Sequence, residues 1–294
     1  MIKILVMFLF LAASLLASDF PVTIVDDVGI SAVIPKIPKR IISLAPSNTE
    51  ILFMLGLGDR VVGVSSICNY PAEAGKKEKV GDFFAPSLEK ILLLKPDLVI
   101  AGGGVQKELA LKLSAMGIPT MTLYPKDLKE MLLDVLLTGK AAGKEAEAVK
   151  LMNSLKARIE KVKEQAKKSK HPKVYFEIWN QPVTSAGKGS FIDELITIAG
   201  GENIFSSINK TFPEVSAEEI IKRNPDIIIT AYMEKKGKMK KEITGRAGWT
   251  GIKAVKDDKV FDDLDPDLLL RSGPRLVDGL EELEKKITPK NKSK

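Results

Sequence analysis

The chain has 294 residues, 45% hydrophobic and 28% charged, with a formal net charge of +7. This fits a globular protein with material for one large or two ordinary domains. Cys68 and His171 are the sole cysteine and histidine, which excludes an intramolecular disulfide and a zinc or manganese site built on several imidazoles. A histidine-based catalytic centre would have to use His171, whose setting KSKHPKV reads as a solvated turn. The densest basic stretches, Lys235–Lys241 and Lys285–Lys294, carry no interleaved aromatics, so they read as a loop and a terminus rather than a nucleic-acid groove.

The first residues, MIKILVMFLFLAASLLASDF, place one lysine before an apolar run from Ile4 to about Leu16, followed by small residues. That is the layout of a secretory signal peptide, and the run is short for a spanning helix, which needs about 20 residues. Residues 1–18 are therefore expected to be cleaved near Ala17 or Ser18, giving an exported, periplasmic chain. No cysteine ends the run, so lipid attachment is not expected there.

Next come a strand at Ile41–Leu44, a helix opened by Ser47-x-x-Glu50 read as a capping box, a stop at Gly56–Gly58, and a strand at Val61–Val64. The phrase SLEKILLLKPDLVI, from Ser87, recurs as SAEEIIKRNPDIII, from Ser216. In each copy a serine caps a short helix, the residue before proline ends it, and Asp97 or Asp226 opens a buried strand of the parallel type. Between the copies, Lys144–Lys168 has neither glycine nor proline. Its Val149, Met152, Leu155, Ile159, Val162 and Ala166 form one apolar stripe. The reading is an α/β fold of two similar lobes with central, mostly parallel sheets, 19–143 and 171–294, bridged by a long helix at 144–170.

RIISLAPSNTEILFMLGLGDRVVGV, YPAEAGKKEKVGDFFAPSLEKILLLKPDLVIA, GKGSFIDELITIAGGENIF, FPEVSAEEIIKRNPDIII and DPDLLLRSGPRLVDGLEEL occur in this order over essentially the whole mature chain. Together they resemble the periplasmic binding proteins of ABC importers for cobalamin and iron–siderophore complexes, with the cobalamin branch nearest. The resemblance implies a ligand cleft between the lobes and no enzymatic activity. It also implies that Glu89 and Glu218, the matching glutamates of the two phrase copies, dock onto the transmembrane permease subunits. Their independent physical role is that of acids in the first turn of a helix.

Ligand contacts are expected from loops after strands. Tyr70, the adjacent Phe83 and Phe84, Phe212, and Trp179 at the end of KVYFEIW supply rings; Trp249 reads as packing. Asp267 and Arg271 are four apart and can pair; the resemblance implies that the matching residues meet the ligand. In the cobalamin branch an aromatic stands at Ile67, tryptophan at Phe83 and Phe212, and phenylalanine at Val183, so this cleft carries less aromatic surface. The expected ligand is a small-molecule metal chelate, cobalamin or a ferric siderophore, with haem as the alternative. Its cobalt or iron would arrive already chelated, with no protein cofactor and no protein metal site. A monomer is expected. The alternative from another class is an exported α/β hydrolase-type enzyme, against which stands the absence of a G-x-S-x-G elbow, a P-loop and a G-x-G-x-x-G.

Overall fold

The computed structural model of the chain describes residues 20–232 and 237–289, so the leader expected at 1–18 lies outside the described residues. A hairpin comes first, β1 (Val22–Val25) with β2 (Ser31–Ile34). The first sheet follows: β3 (Ile41–Ser43), β4 (Val61–Val64), β5 (Glu78–Lys79), β6 (Leu98–Gly102) and β7 (Thr120–Leu123). Its order is β5-β4-β3-β6-β7 and every pairing is parallel. The second sheet comprises β8 (Lys173–Asn180), β9 (Val183–Ser185), β10 (Glu202–Asn203), β11 (Ile227–Thr230) and β12 (Val260–Phe261). It runs β10-β8-β11-β12 in parallel, with β9 antiparallel on β8. The central strands β3, β6 and β11 are buried at every position, as strands covered on both faces must be. Lobe one carries the first sheet and lobe two the second.

The repeated phrase does the same work in both lobes. Ser87 Oγ accepts from Lys90 N at 3.3 Å and caps the helix Leu88–Leu93; Ser216 Oγ accepts from Glu219 N at 3.2 Å and caps Ala217–Arg223. Asp97 then accepts from the backbone of Lys39 and Arg40, at 2.9 Å and 2.8 Å, just before β3. Asp226 accepts from Lys173 N at 2.8 Å, at the start of β8. Each aspartate thus sets the register between its own strand and the first strand of its sheet.

The connecting helix spans Glu145–Ala166, roughly 33 Å at ~1.5 Å per residue. It packs on the helix Leu128–Ala142, which ends at a left-handed Gly143 with φ 68°, and on the last helix, Leu276–Ile287. Arg158 forks onto Glu281 at 2.9 and 2.8 Å and reaches Asp278 at 2.6 Å, tying connector to last helix. The expected stripe is corrected at its start. Val149 faces solvent and Ala148 is buried instead. The two helices approach so closely that a Cβ on Gly139 would stand 2.3 Å from the Ala148 Cβ, leaving no room there for a larger side chain. Among the described residues no helix is long and apolar enough to cross a membrane.

Candidate functional site

In open parallel sheets a ligand crevice forms beyond the carboxyl ends of the strands, where the strand order reverses. Lobe one reverses between β3 and β6, and lobe two between β8 and β11. At the first point, Gly102 ends β6 and Gly103 follows it, and the helix Pro46–Met54 follows β3. A Cβ on Gly102 would come 3.3 Å from the Phe83 ring, and one on Gly103 3.6 Å from the Tyr124 ring. Gln106 is buried and holds this corner: it accepts from Gly102 N at 2.8 Å and donates to Leu44 O at 3.0 Å and Phe83 O at 2.7 Å. Phe84, 75% exposed, sets its ring edge-on to Phe83 at 5.1 Å.

At the second point Trp179 ends β8 and Tyr232 follows β11, with ring centroids 6.1 Å apart. Trp179 is partly exposed, and its Nε1 donates to Gln181 O at 2.8 Å, which fixes the ring. Beneath it Glu177, fully buried, accepts from Arg246 through both oxygens, at 2.7 and 2.8 Å, from Tyr175 Oη at 2.6 Å, and from Tyr232 Oη. Burial and the Glu177 charge push both phenols well above their ordinary range. Phe212 is exposed on a loop whose neighbours bond to the β9 edge, Ser185 N to Pro213 O at 3.0 Å and Gly187 N to Thr211 O at 2.9 Å. Trp249 is buried against Tyr175, as packing requires.

The lobes meet along 267–275. Arg271 pairs with Asp267 at 2.8 Å, as the four-residue spacing predicts, but it also donates to Asn69 of lobe one at 2.7 Å. Asn69 donates in turn to Asp267 at 3.2 Å. Arg275 lies 3.8 Å over the Tyr70 ring and donates to Glu50 at 3.4 Å. The capping-box reading of Ser47 and Glu50 is therefore corrected. The N-cap is Ala45, with Pro46 in the first turn and no side-chain cap; Glu50 is buried and turned toward lobe two. Burial raises its carboxyl to about 7, against the lowering pull of Arg275 and Arg271.

A family model described as "Periplasmic binding protein" matches residues 41–268. The chain belongs to that family. Members of this family are substrate-binding components of ABC transport, and the hydrolase alternative finds no support. The chain is 38% identical over 279 residues to an uncharacterized ABC transporter substrate-binding lipoprotein of Bacillus subtilis, covering 92% of this chain and 86% of the relative. A solved periplasmic vitamin B12-binding protein of Vibrio cholerae superposes with a TM-score of 0.72 at 30% identity, over 86% of this chain and 98% of the other. A solved periplasmic haem-binding protein from Roseiflexus superposes at 0.73 and 28% identity, over 85% and 97%.

For a family member, the structure distributes the expected residues over three clusters. Phe83 and Phe84 sit at the first crevice and Trp179 at the second, while Tyr70, Asp267 and Arg271 line the seam. Glu89 and Glu218 are exposed in the first turns of equivalent helices, one per lobe. The Glu218 backbone N–H and the Ser216 hydroxyl hold the Glu218 carboxyl below its ordinary range. Asn69, Gln106, Tyr124, Tyr232 and Arg275 escaped the sequence reading, which gives Glu50 a capping role alone. Tyr232 was accessible to it, standing two residues past a predicted strand; Gln106 was not, because its partners are backbone atoms brought together by the fold. A groove of about 1240 Å³ lined by Lys161, Lys168, Lys259 and Lys285 lies at the amino ends of β8 and β11, so topology separates it from these clusters.

Proposed function

We propose that this chain is the exported receptor of an ABC importer, capturing a pre-chelated metal complex between its lobes and handing it to the transmembrane permease. The observation that carries this reading is the pairing of two crevices, each at a strand-order reversal and each fitted with an aromatic ring: Phe83 in lobe one, whose backbone carbonyl Gln106 holds, and Trp179 in lobe two, whose indole N–H is bonded to Gln181 O. Flat rings at both crevices suit a broad, largely apolar ligand with a polar rim. A corrinoid is the first choice, supported by the match with the Vibrio cholerae vitamin B12-binding protein. Ile67 and Val183, both aliphatic, favour haem or a ferric siderophore as the second reading.

In this reading Tyr70, Phe83, Phe84, Trp179 and Phe212 offer surface to the chelate, and Asp267 and Arg271 offer hydrogen bonds from the seam. Glu89 and Glu218 dock on the two permease subunits, one charge from each lobe. The chain works as a monomer, with lobes at 19–143 and 171–294 and the leader removed. Calorimetric titration of the purified chain with cyanocobalamin, cobinamide, haem and a ferric hydroxamate tests this. One-to-one cobalamin binding is expected. Heat from haem or the hydroxamate alone moves the ligand to the second reading, and silence across the panel overturns chelate capture.

A further inference from the structure

Lobe two reaches lobe one at Glu194, which accepts from Leu128 N at 2.9 Å, and along the strip 267–275, where Gly273 makes a close approach. A Cβ there would stand 3.0 Å from Ser47 Cα and 3.2 Å from Glu50 Oε2. Glycine therefore lets the strip lie directly on the helix Pro46–Met54, whose first turn leads from the lobe-one crevice. On either side of that point the charged groups interlock. Glu50 Oε1 accepts from Arg275 at 3.4 Å and lies 3.8 Å from Arg271. Glu50 is 1% exposed, and its Oε2 has no partner. The Arg275 guanidinium is also sandwiched against Tyr70 of lobe one.

We propose that Glu50, Arg275 and Gly273 form a clamp that sets the distance between the lobes, and hence the width of the cleft, and that closing it takes up a proton at Glu50. Glu50 is a positioning residue here; it acts through the arginines. A carboxylate with one paired and one orphaned oxygen holds a full charge in a buried position. A proton on Oε2 removes that cost, while Oε1 goes on accepting from Arg275. The charged groups facing Glu50 from lobe two are Arg275, Arg271 and Asp267. Asp267 is already compensated by Arg271 at 2.8 Å. From lobe one, Tyr70 stacks on Arg275, and the nearby Cys68 is engaged with Thr49 at 3.1 Å.

The linkage has a definite sign. Glu50 titrates at about 7 in the closed seam and returns to the ordinary carboxylate range, near 4.3, when the lobes part and water reaches it. The closed state therefore binds more protons between these values. Closing is favoured as pH falls, by about tenfold in the equilibrium constant between pH 8 and pH 6. This goes beyond the receptor reading, because it depends on the seam and not on which chelate is bound.

The test is an interlobe distance measured by pulsed electron spin resonance on the ligand-free full chain, with spin labels at Lys107→Cys and Lys241→Cys. Both sites are exposed, one in each lobe, and the buried Cys68 stays unlabelled. The wild-type background is expected to give a shorter, narrower distribution at pH 6 than at pH 8. Arg275→Ala and Gly273→Ala should lengthen it at both pH values. Glu50→Gln, which keeps an acceptor oxygen but cannot ionise, should hold the short distance at both. Circular dichroism checks that each variant is folded, and Arg275→Lys replaces Arg275→Ala if that variant is not. Wild-type distances in both loosening variants would overturn the clamp; a pH shift surviving in Glu50→Gln would overturn its proton link. A silent calorimetric panel would sink chelate capture and leave these distances as they are.

Discussion

Glu50 in lobe one and Glu177 in lobe two are the most deeply buried glutamates among the described residues, and the two are treated differently. Glu177 of lobe two receives four hydrogen bonds, two from Arg246 and one each from Tyr175 and Tyr232. Glu50 of lobe one has one long contact with Arg275 and one bare oxygen. The difference follows from location. Glu177 lies inside a lobe, where neighbours from β8, the segment after β11 and the 246–249 turn are fixed around it. Glu50 sits between bodies, and its partners come from the other lobe. A carboxyl satisfied within one body anchors that body; a carboxyl satisfied across a seam makes the seam responsive.

The largest effect is expected from Arg246→Ala, which strands the buried Glu177 charge. Removing one partner of a buried pair costs about 3–5 kcal/mol, read as a lower urea midpoint at neutral pH. Arg246→Lys should cost less, because charge remains while the two-pronged fork is lost. If Arg246→Ala unfolds at the wild-type midpoint, Glu177 is no anchor and the contrast with Glu50 fails.

A third buried carboxyl sharpens the contrast. Asp134, on the helix Leu128–Ala142, is raised to about 9 by burial and by Asp27 and Glu130, with no cation opposing them. Its folded value lies above its unfolded one. The folded chain therefore holds an extra proton from about pH 4 to pH 9, and stability falls by up to tenfold in the folding constant per pH unit across that window. Asp134→Asn should remove this slope, measured as urea midpoints at pH 5, 7 and 9. A slope that survives the substitution would assign it to other groups.

At the crevices, Trp179→Ala should weaken capture of the bound chelate by about tenfold, on the order of one aromatic contact with its buried area, while Phe84→Ala should do less because that ring is mostly in solvent. Equal losses in calorimetry would mean the two crevices contribute alike. The smallest effect on the isolated chain is expected from Glu89→Ala with Glu218→Ala. Both side chains are exposed, so chelate affinity should match wild type and the unfolding midpoint should fall only slightly, by the loss of two first-turn helix acids. Stimulation of the importer's ATPase in reconstituted vesicles should drop, and unchanged stimulation would remove the docking role.

Local order along the chain was legible. Ser87 and Ser216 cap their helices, Gly143 ends one in the left-handed conformation, and the second phrase copy builds the same helix-to-strand unit as the first. These features depend on residues within a few positions of one another, and sequence spacing encodes them. The reading failed where spacing was ambiguous. Ser47-x-x-Glu50 has the pattern of a capping box, yet the helix starts two residues earlier, at Pro46 after an Ala45 N-cap, and Glu50 is drawn into the seam by Arg275, 225 residues away. Val149 fits a stripe as well as Ala148, and only the close pass of Gly139 decides between them. Arg271 was read as a partner of Asp267, and it is; its bond to Asn69 across the lobes was invisible.

The sequence by itself determined the α/β class, the two-lobe plan and the long connector, because apolar periodicity and prolines or glycines at element ends act locally. It also excluded a zinc or manganese site built on several imidazoles and an intramolecular disulfide by count alone. The tertiary structure decided which charges face one another across the seam, which rings stand at the strand-order reversals, and which buried carboxyls, Glu50 and Asp134, are left with a bare oxygen. Those facts depend on groups far apart in the chain meeting in a buried interface, where one missing partner changes the energy of a charge more than any local preference can.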